Sequence, residues 1–266
     1  MKIVILASGS KGNCTYIETR EAKVILDAGI TLKQVKVRLH NQGIALDNID
    51  AVFVTHEHSD HIKGLSQLLD YTDAPLYINK TTYENANRRL HGDLDYFVKA
   101  IIKPDKLYKI KDLAIVPLKL SHDTDSCYGY LFRQLNTSKN VSYGHITDTG
   151  YIPDKYYPIL SSINTLTIES NHDVGMLQAS SRPQFLISRI LSDHGHLSNE
   201  QCTEAIKKFI SDKNKHFILA HVSEECNTYE LPRETLLNAF DEPTFKVDVA
   251  LQNEELPLIE IEDNDD

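Results

Sequence analysis

The sequence predicts a single α+β domain in which sheets form the interior and helices cover the outside. Three observations indicate this class. Short β-branched and apolar runs are interspersed with helical apolar stripes, 41 % of the 266 residues are hydrophobic, and no repeat or low-complexity linker divides the chain. A chain of this length and composition can bury a sizeable core, which excludes disorder as its general state.

Strands are predicted where apolar or β-branched runs are bounded by Gly, Asn or Asp. In chain order these runs are 2–8, 15–19, 23–27, 51–55, 113–120, 141–146, 165–169 and 216–220. The segment 8–13, with the sequence SGSKGN, predicts a turn between the first two strands.

Helices are predicted where apolar residues recur every three or four positions. One such stripe consists of Leu32, Val35 and Leu39, and another runs from Ile62 to Leu69. The clearest helix begins at Ser198, because the sequence SNEQ at 198–201 has the pattern of a capping box.

Acidic residues are concentrated at the C-terminal end of the chain. The segment 253–266 holds seven of them and no basic residue, so the rest carries 28 basic against 31 acidic residues, a formal charge of −3. We expect residues 1–252 to form the domain and 253–266 to be a disordered, mobile tail. A near-neutral body argues against a module that coats nucleic acid, but it permits an anionic substrate, because local charges set the field at a site.

Several features of the sequence bear on the cellular compartment of the protein. Its apolar runs are far shorter than the roughly 20 residues of a membrane span, and its N-terminus lacks the long apolar region of a secretory signal. The four cysteines form no C-x-x-C pair, as is typical of reduced thiols. We therefore expect a cytoplasmic protein with no membrane partner, while its oligomeric state stays open.

The segment 55–61, with the sequence THEHSDH, is the strongest chemical signal. It follows the apolar strand at 51–55. If the backbone stays extended, His56 and His58 point the same way and can share one metal ion, whereas Asp60 and His61 turn toward a second. Imidazole and carboxylate together favour zinc, manganese or iron over magnesium or calcium.

Three further candidates follow predicted strands. These are His122, Asp148 and His221, each at a position where a strand delivers a side chain to the sheet edge. Each signal is weak alone, because an Asp after a strand is commonly a turn former. Their weight comes from their joint fit to one site.

The pattern T-H-x-H-x-D-H after an apolar strand resembles the metallo-β-lactamase superfamily. A strand ending in Asp27 precedes it, and the three candidates above follow it in the same order. The segments ASGSKGN at 7–13, ESNHD at 169–173, GHLSN at 195–199 and AHVSEECN at 220–227 resemble its YycJ/WalJ-type branch, whose members are regarded as DNA exonuclease-like hydrolases. The resemblance covers residue 1 to about residue 240 and implies a four-layer αββα sandwich with its site along one edge of the two sheets.

The resemblance also implies a set of metal ligands. One ion would be held by His56, His58 and His122, and the other by Asp60, His61 and His221, with Asp148 bridging the two. The expected cofactors are two divalent ions, zinc or manganese, with iron as a further candidate. Asp27 matches a carboxylate that supports the ligand loop from beneath.

Two further histidines are candidate site residues. His196 precedes the capping box, in a region where related phosphodiesterases place a catalytic histidine, so we expect it to act as the general acid. His172, in the segment 169–173, either lines the pocket or forms a supporting hydrogen bond.

Two cations sharing a carboxylate suit hydrolysis, because a water held between them reaches a pKa of about 7 and supplies a hydroxide nucleophile. With Asp148 as the catalytic bridging residue, the expected function is a dinuclear phosphodiester hydrolase, most simply a 5′–3′ DNA exonuclease-like enzyme with a nucleic-acid substrate. A dizinc β-lactamase would carry cysteine at 148, and the inserted domain of ribonuclease J-type enzymes exceeds the remaining length. A cyclic phosphodiesterase, a glyoxalase II-like thioesterase and a non-catalytic metal-stabilised interaction protein stay open as alternatives.

Overall fold

The computed structural model describes residues 1–90 and 94–262, which form two seven-stranded sheets. In chain order the strands are β1 (Lys2–Ala7), β2 (Cys14–Glu18), β3 (Lys23–Leu26), β4 (Ala51–Phe53), β5 (Leu76–Ile78), β6 (Val98–Ile101), β7 (Tyr108–Ile110), β8 (Leu113–Leu120), β9 (Cys127–Gln134), β10 (Ser142–Ile146), β11 (Thr165–Glu169), β12 (His216–Ala220), β13 (Lys246–Val249) and β14 (Ile259–Glu260).

The two sheets have related topologies. The first has the order β14-β1-β2-β3-β4-β5-β6 and the second β13-β12-β11-β10-β9-β8-β7. In each sheet, four consecutive strands are parallel: β3 to β6 in the first and β10 to β13 in the second. The carboxyl ends of the parallel strands within a sheet meet at one edge, which is where loops can gather functional side chains.

The helices are α1 (Leu32–Asn41), α2 (Ser59–Ile62), α3 (Leu65–Thr72), α4 (Lys80–Leu90), α5 (Tyr157–Leu160), α6 (Val174–Ala179), α7 (Gln184–Ile190), α8 (Asn199–Phe209) and α9 (Leu231–Leu237). Short 3₁₀ turns lie at Leu94–Tyr96 and Asp154–Tyr156. Within the described ranges, none of the helices has the length and apolar character needed to cross a membrane.

The core confirms the predicted four-layer αββα sandwich. One apolar cluster lies between the sheets and joins Phe53 of the first to Tyr130 and Phe132 of the second. A second cluster packs α1, α3 and α4 on the outer face of the first sheet. A third packs α5, α8 and α9 on the outer face of the second sheet.

The predicted helix starts agree with the structure except at one break. Ser198 caps α8, and the reciprocal bonds of the capping box with Gln201 are both present. The stripe from Ile62 to Leu69, by contrast, is divided between α2 and α3 at Gly64. A Cβ at Gly64 would lie 2.0 Å from the carbonyl oxygen of Ile30, so the chain passes too close there for any side chain.

The prediction that the tail begins at residue 253 is wrong for residues 253–262. Strand β14 pairs with β1, and the side chains of Leu256 and Ile261 are buried in the core between the sheets. Apolar residues alternate with the acids here, so the acids face solvent while the apolar side chains pack inward. The rest of the predicted tail, 263–266, lies outside the described residues.

Candidate metal centre and active-site cleft

Three candidate site residues follow strand ends in an unusual backbone conformation. Asp27 after β3, Asp148 after β10 and His221 after β12 have φ values of 60°, 57° and 55°. This left-handed region is uncommon for residues other than glycine, and such residues cluster at functional sites. Each turns the chain at the sheet edge, which brings its side chain to a common centre.

The segment 55–61 reaches the same centre from β4. The backbone N–H of Thr55 donates to Oδ1 of Asp27 at 2.8 Å, which ties the start of the segment to the end of β3. The rings of His56 and His58 then lie 4.5 Å apart, as the two-residue alternation predicts. Helix α2 begins directly afterwards and carries Asp60 and His61 in its first turn.

The structure brings all seven predicted ligands together. Their ligand atoms fall into groups within which all atoms lie within 4.8 Å of one another: His56, His58 and His122; Asp60, His61 and His221; His56, His61 and Asp148; and Asp148, Glu169, His196 and His221. The first two groups match the two predicted ligand sets. Asp148 joins a member of each set, which is the position that a bridging carboxylate requires.

Several buried atoms of this centre have no hydrogen-bond partner among the described residues. They are His56 Nε2, Asp148 Oδ2 and His221 Nε2. A buried polar atom without a partner costs about 1–3 kcal/mol, so such atoms rarely occur together without a ligand to satisfy them. Imidazole nitrogens facing carboxylate oxygens form a donor set that suits zinc, manganese or iron, and these residues therefore fit divalent metal ions.

The charges at the centre are strongly coupled. Burial alone would raise the pKa of Asp148, but His221 and His61 hold it well below its usual range. Burial alone would lower the pKa of His221, yet Asp148, Asp60 and Glu169 raise it to about 10. The carboxylate of Asp148 thus stays ionised, which is the form that can bind a cation.

Asp27 contacts the centre through His61, and its predicted role of supporting the ligand loop stays a prediction. Its Oδ2 is 2.8 Å from Nδ1 of His61, so the other nitrogen of that ring faces the predicted ligands. Asn13, from the turn after β1, approaches from the other side, its Nδ2 lying 3.0 Å from His61 Nε2 and 3.2 Å from Asp60 Oδ2. Gly29 allows this approach, because a Cβ there would lie 1.6 Å from the carbonyl oxygen of Asp60.

His196 lies beside the predicted ligands without belonging to either set. Its Nδ1 is 2.7 Å from Oε1 of Glu169, and its ring stacks at 5.3 Å on His221. Burial opposes ionisation of Glu169, but His196 and His221 hold its pKa at about 2. An ionised carboxylate therefore orients the His196 ring, one-fifth of which is exposed to the cleft.

His172 is fully buried and lies apart from the ligand groups. Its backbone forms a bridge with Ser198 and accepts the N–H of Asn199, which ties the loop after β11 to the start of α8. Neither ring nitrogen has a hydrogen-bond partner among the described residues, and burial lowers its pKa to about 4. Its predicted role in lining or supporting the site stays a prediction.

A cleft of about 140 Å³ opens above the centre. The residues that line it include His122, His196, Arg182 and Arg189. Arg189 is paired with Asp123, whose Oδ1 is 3.0 Å from His122 Nε2. Arg182 is paired with Glu225, and the N–H groups that the two guanidiniums do not use in these pairs can bind an anionic group.

Sequence reasoning missed three acidic residues near the site. Glu169 ends β11 as a lone carboxylate after an apolar strand, the same signal that singled out Asp148. Asp123 directly follows His122 in a polar loop, where an aspartate is common and gives no separate signal. Glu57 lies inside the histidine segment and ties it to its neighbours, because its carboxylate accepts hydrogen bonds from Asn85 of α4 and from Thr124.

Comparison with known proteins agrees with this geometry. A family model described as "Beta-lactamase superfamily domain" matches residues 22–222, three-quarters of the chain. The chain belongs to the β-lactamase superfamily. The fold class and the family that the resemblance implied are therefore confirmed.

Relatives and solved structures refine this placement. The chain is 36 % identical over 248 residues to exodeoxyribonuclease YycJ of Bacillus anthracis, covering 93 % of this chain and 92 % of the relative. It is 37 % identical over 238 residues to exodeoxyribonuclease WalJ of Streptococcus pneumoniae serotype 2, covering 89 % and 87 %. The metallo-β-lactamase fold protein YhfI of Bacillus subtilis superposes with a TM-score of 0.70 at 16 % identity, over 96 % of this chain and 98 % of that one, and so shares the fold.

Proposed function

We propose that this chain is a metal-dependent phosphodiester hydrolase that degrades nucleic acid, with DNA as its preferred substrate and 5′–3′ exonuclease action as its mode. The observation that carries the proposal is the group of buried, unpaired imidazole and carboxylate atoms beside the His196–Glu169 pair. The names of the YycJ and WalJ relatives, which span nearly the whole chain, favour a DNA exonuclease over a cyclic phosphodiesterase or a thioesterase. A cytoplasmic location stays a prediction.

In this proposal the chain holds two divalent cations, zinc or manganese, with iron as a further candidate. His56, His58 and His122 would hold one of them, Asp60, His61 and His221 would hold the other, and Asp148 would supply a ligand to both. When bound, the cations would lower the pKa of a water and neutralise charge that develops on the phosphate.

His196 would complete the reaction by protonating the leaving oxygen. An alkoxide leaving group is strongly basic and departs slowly without a proton. Glu169 holds the ring through Nδ1, so the other nitrogen, Nε2, is the one that can carry a proton toward the cleft. Asp148 meanwhile keeps its negative charge between the two ligand sets.

The test compares two substrates with leaving groups of different basicity. In the metal-loaded protein, His196→Ala should lower kcat by roughly 10²–10⁴-fold on an oligonucleotide, whose leaving group needs a proton. The loss should be much smaller on bis(p-nitrophenyl) phosphate, because p-nitrophenolate departs unprotonated. His194→Ala is the matched control, since His194 is an exposed histidine of the same loop that lines the same cleft.

The metal content of each variant separates the outcomes. His196→Ala should retain its metals, whereas His122→Ala should lose metal and activity on both substrates. An equal loss on both substrates with metal retained would contradict the acid role and leave His196 as a substrate-positioning residue. No loss on either would reduce it to a structural one.

A further inference from the structure

Helix α7 forms one wall of the cleft and is held firmly in place. Its residues Ile187 and Ile190 pack in a small apolar cluster with Leu177 of α6 and Cys226. Leu186 and Arg189 line the cleft itself. The helix therefore presents a fixed surface to whatever occupies the cleft.

The exposed face of α7 carries an aromatic residue one helical turn before a cation. Phe185 is 75 % exposed, among the most exposed large apolar residues described. The Arg189 side chain is 55 % exposed. Positions four apart are neighbours on a helix surface, with about 5–6 Å between their Cβ atoms, so Phe185 and Arg189 are successive residues along one side of α7.

Arg189 links this face to the candidate metal centre. Its Nη2 pairs with Asp123, and Oδ1 of Asp123 lies 3.0 Å from His122 Nε2 and 3.5 Å from His58 Nε2. The guanidinium is thus at the rim of the centre, and Phe185 lies one helical turn further out. A guanidinium has five N–H donors, so the nitrogens not taken by Asp123 are available to a phosphate.

We propose that this face of α7 binds the nucleotide next to the scissile phosphate of a single-stranded nucleic acid. Phe185 stacks on its base and Arg189 contacts its phosphate. Stacking aromatics beside cations are the combination that binds single strands without regard to sequence. A base paired within a duplex is already stacked, so this surface selects an unpaired end. The inference rests on the proposed nuclease function and extends it to the form of the substrate.

The first test measures binding and needs no turnover. Fluorescence anisotropy measures the affinity of the full chain for a labelled single-stranded octanucleotide. The same measurement is made with a set of octanucleotides that each lack one base near the 5′ end. Phe185→Ala should weaken binding about tenfold, the size expected for one stacked base. One oligonucleotide of the abasic set should lack the base that stacks on Phe185. Wild type should bind this strand as weakly as Phe185→Ala binds the intact strand. The affinity of Phe185→Ala should be the same for both strands.

Three further variants separate stacking from a general disturbance. Phe185→Tyr keeps the ring and should restore binding. Tyr96→Ala removes an equally exposed aromatic, 78 % exposed, that lines a different groove, and should leave binding unchanged. Arg189→Gln should lower the slope of log affinity against log salt by about 0.7, the value for one phosphate contact on a single strand.

Cleavage by the metal-loaded protein forms the second test. Phe185→Ala should lower the ratio of kcat/KM for the intact oligonucleotide to that for the oligonucleotide that lacks the stacked base about tenfold, because the abasic strand has no ring to stack on Phe185. Unchanged binding and an unchanged ratio would overturn the inference even if DNA is cleaved. Absence of cleavage by wild type would contradict the proposed function, while the binding measurement would still decide the role of α7.

Discussion

The strand β14 and the residues before it should contribute strongly to stability, although they lie in an acidic segment. The backbone N–H of Leu256 donates to the carbonyl of Ile5, and that of Ile261 donates to the carbonyl of Met1. The side chains of Leu256 and Ile261 are only 9 % and 4 % exposed and pack in the core between the sheets. The perturbation is their joint replacement, Leu256→Ala with Ile261→Ala.

Truncating a buried Leu or Ile to Ala typically costs 2–5 kcal/mol through lost burial and the cavity left behind. Both residues lie in or beside the edge strand of the sheet, where neighbouring side chains can relax, so we take the lower value for each and expect about 4 kcal/mol for the pair. This is a large fraction of the 5–15 kcal/mol by which a typical domain is stable.

Urea unfolding followed by circular dichroism measures the effect as a shift of the midpoint at constant slope. Glu254→Ala is the control, because Glu254 is exposed in the same segment and should change the free energy of unfolding by less than about 0.5 kcal/mol. If the double variant were as stable as wild type, the packing of this segment would be refuted and the prediction of a disordered tail would stand.

Three more predictions concern the centre and its surroundings. Asp27→Asn should weaken metal affinity about 10–100-fold, because Asp27 orients His61, as measured by competition with a chelating dye. Adding Zn²⁺ or Mn²⁺ at 100 times its dissociation constant should stabilise the fold by about 2.7 kcal/mol, seen as a higher Tm. Glu57→Ala should cost about 1–3 kcal/mol in urea unfolding, because it leaves the partly buried donors of Asn85 and Thr124 without the carboxylate that accepts from them.

Each of these has a matched comparison. Glu84→Ala removes a half-exposed glutamate on α4 and should leave stability nearly unchanged, so an equal loss would contradict the role of Glu57. Asp148→Ala should show a reduced response to metal, and a wild-type Tm that does not respond at all would argue against a metal centre. Asp27→Asn with wild-type metal affinity would show that His61 is oriented without it.

Much of the centre was predictable because its residues follow apolar strands at fixed offsets. The alternation at His56 and His58 and the strand-end positions of Asp148 and His221 are local signals, and the parallel strands bring them together. Glu169 could have been found by the same rule. Asp123 and Arg189 could not, because their pairing joins a loop to a helix far along the chain.

The fold shows the same division between local and non-local information. The capping box at Ser198 and the strand at 165–169 depend on neighbouring residues and are reproduced closely. The boundary at 253 was wrong because charge was counted over a window, whereas the apolar residues between the charges decide whether the segment packs. Strand β9, at Cys127–Gln134, was missed because its aromatic and polar residues show no clear alternation, being buried almost throughout.

The central claim is that this chain cleaves nucleic acid at a metal centre built by its seven histidine and aspartate ligands. The most direct measurement is digestion of 5′-labelled single-stranded DNA by the purified protein, first stripped with a chelator and then reloaded with Mn²⁺ or Zn²⁺. We predict progressive loss of the label as small products after reloading, and a strong reduction in the Asp148→Ala variant. Cleavage that persists in the stripped protein, or equally in Asp148→Ala, would contradict the account.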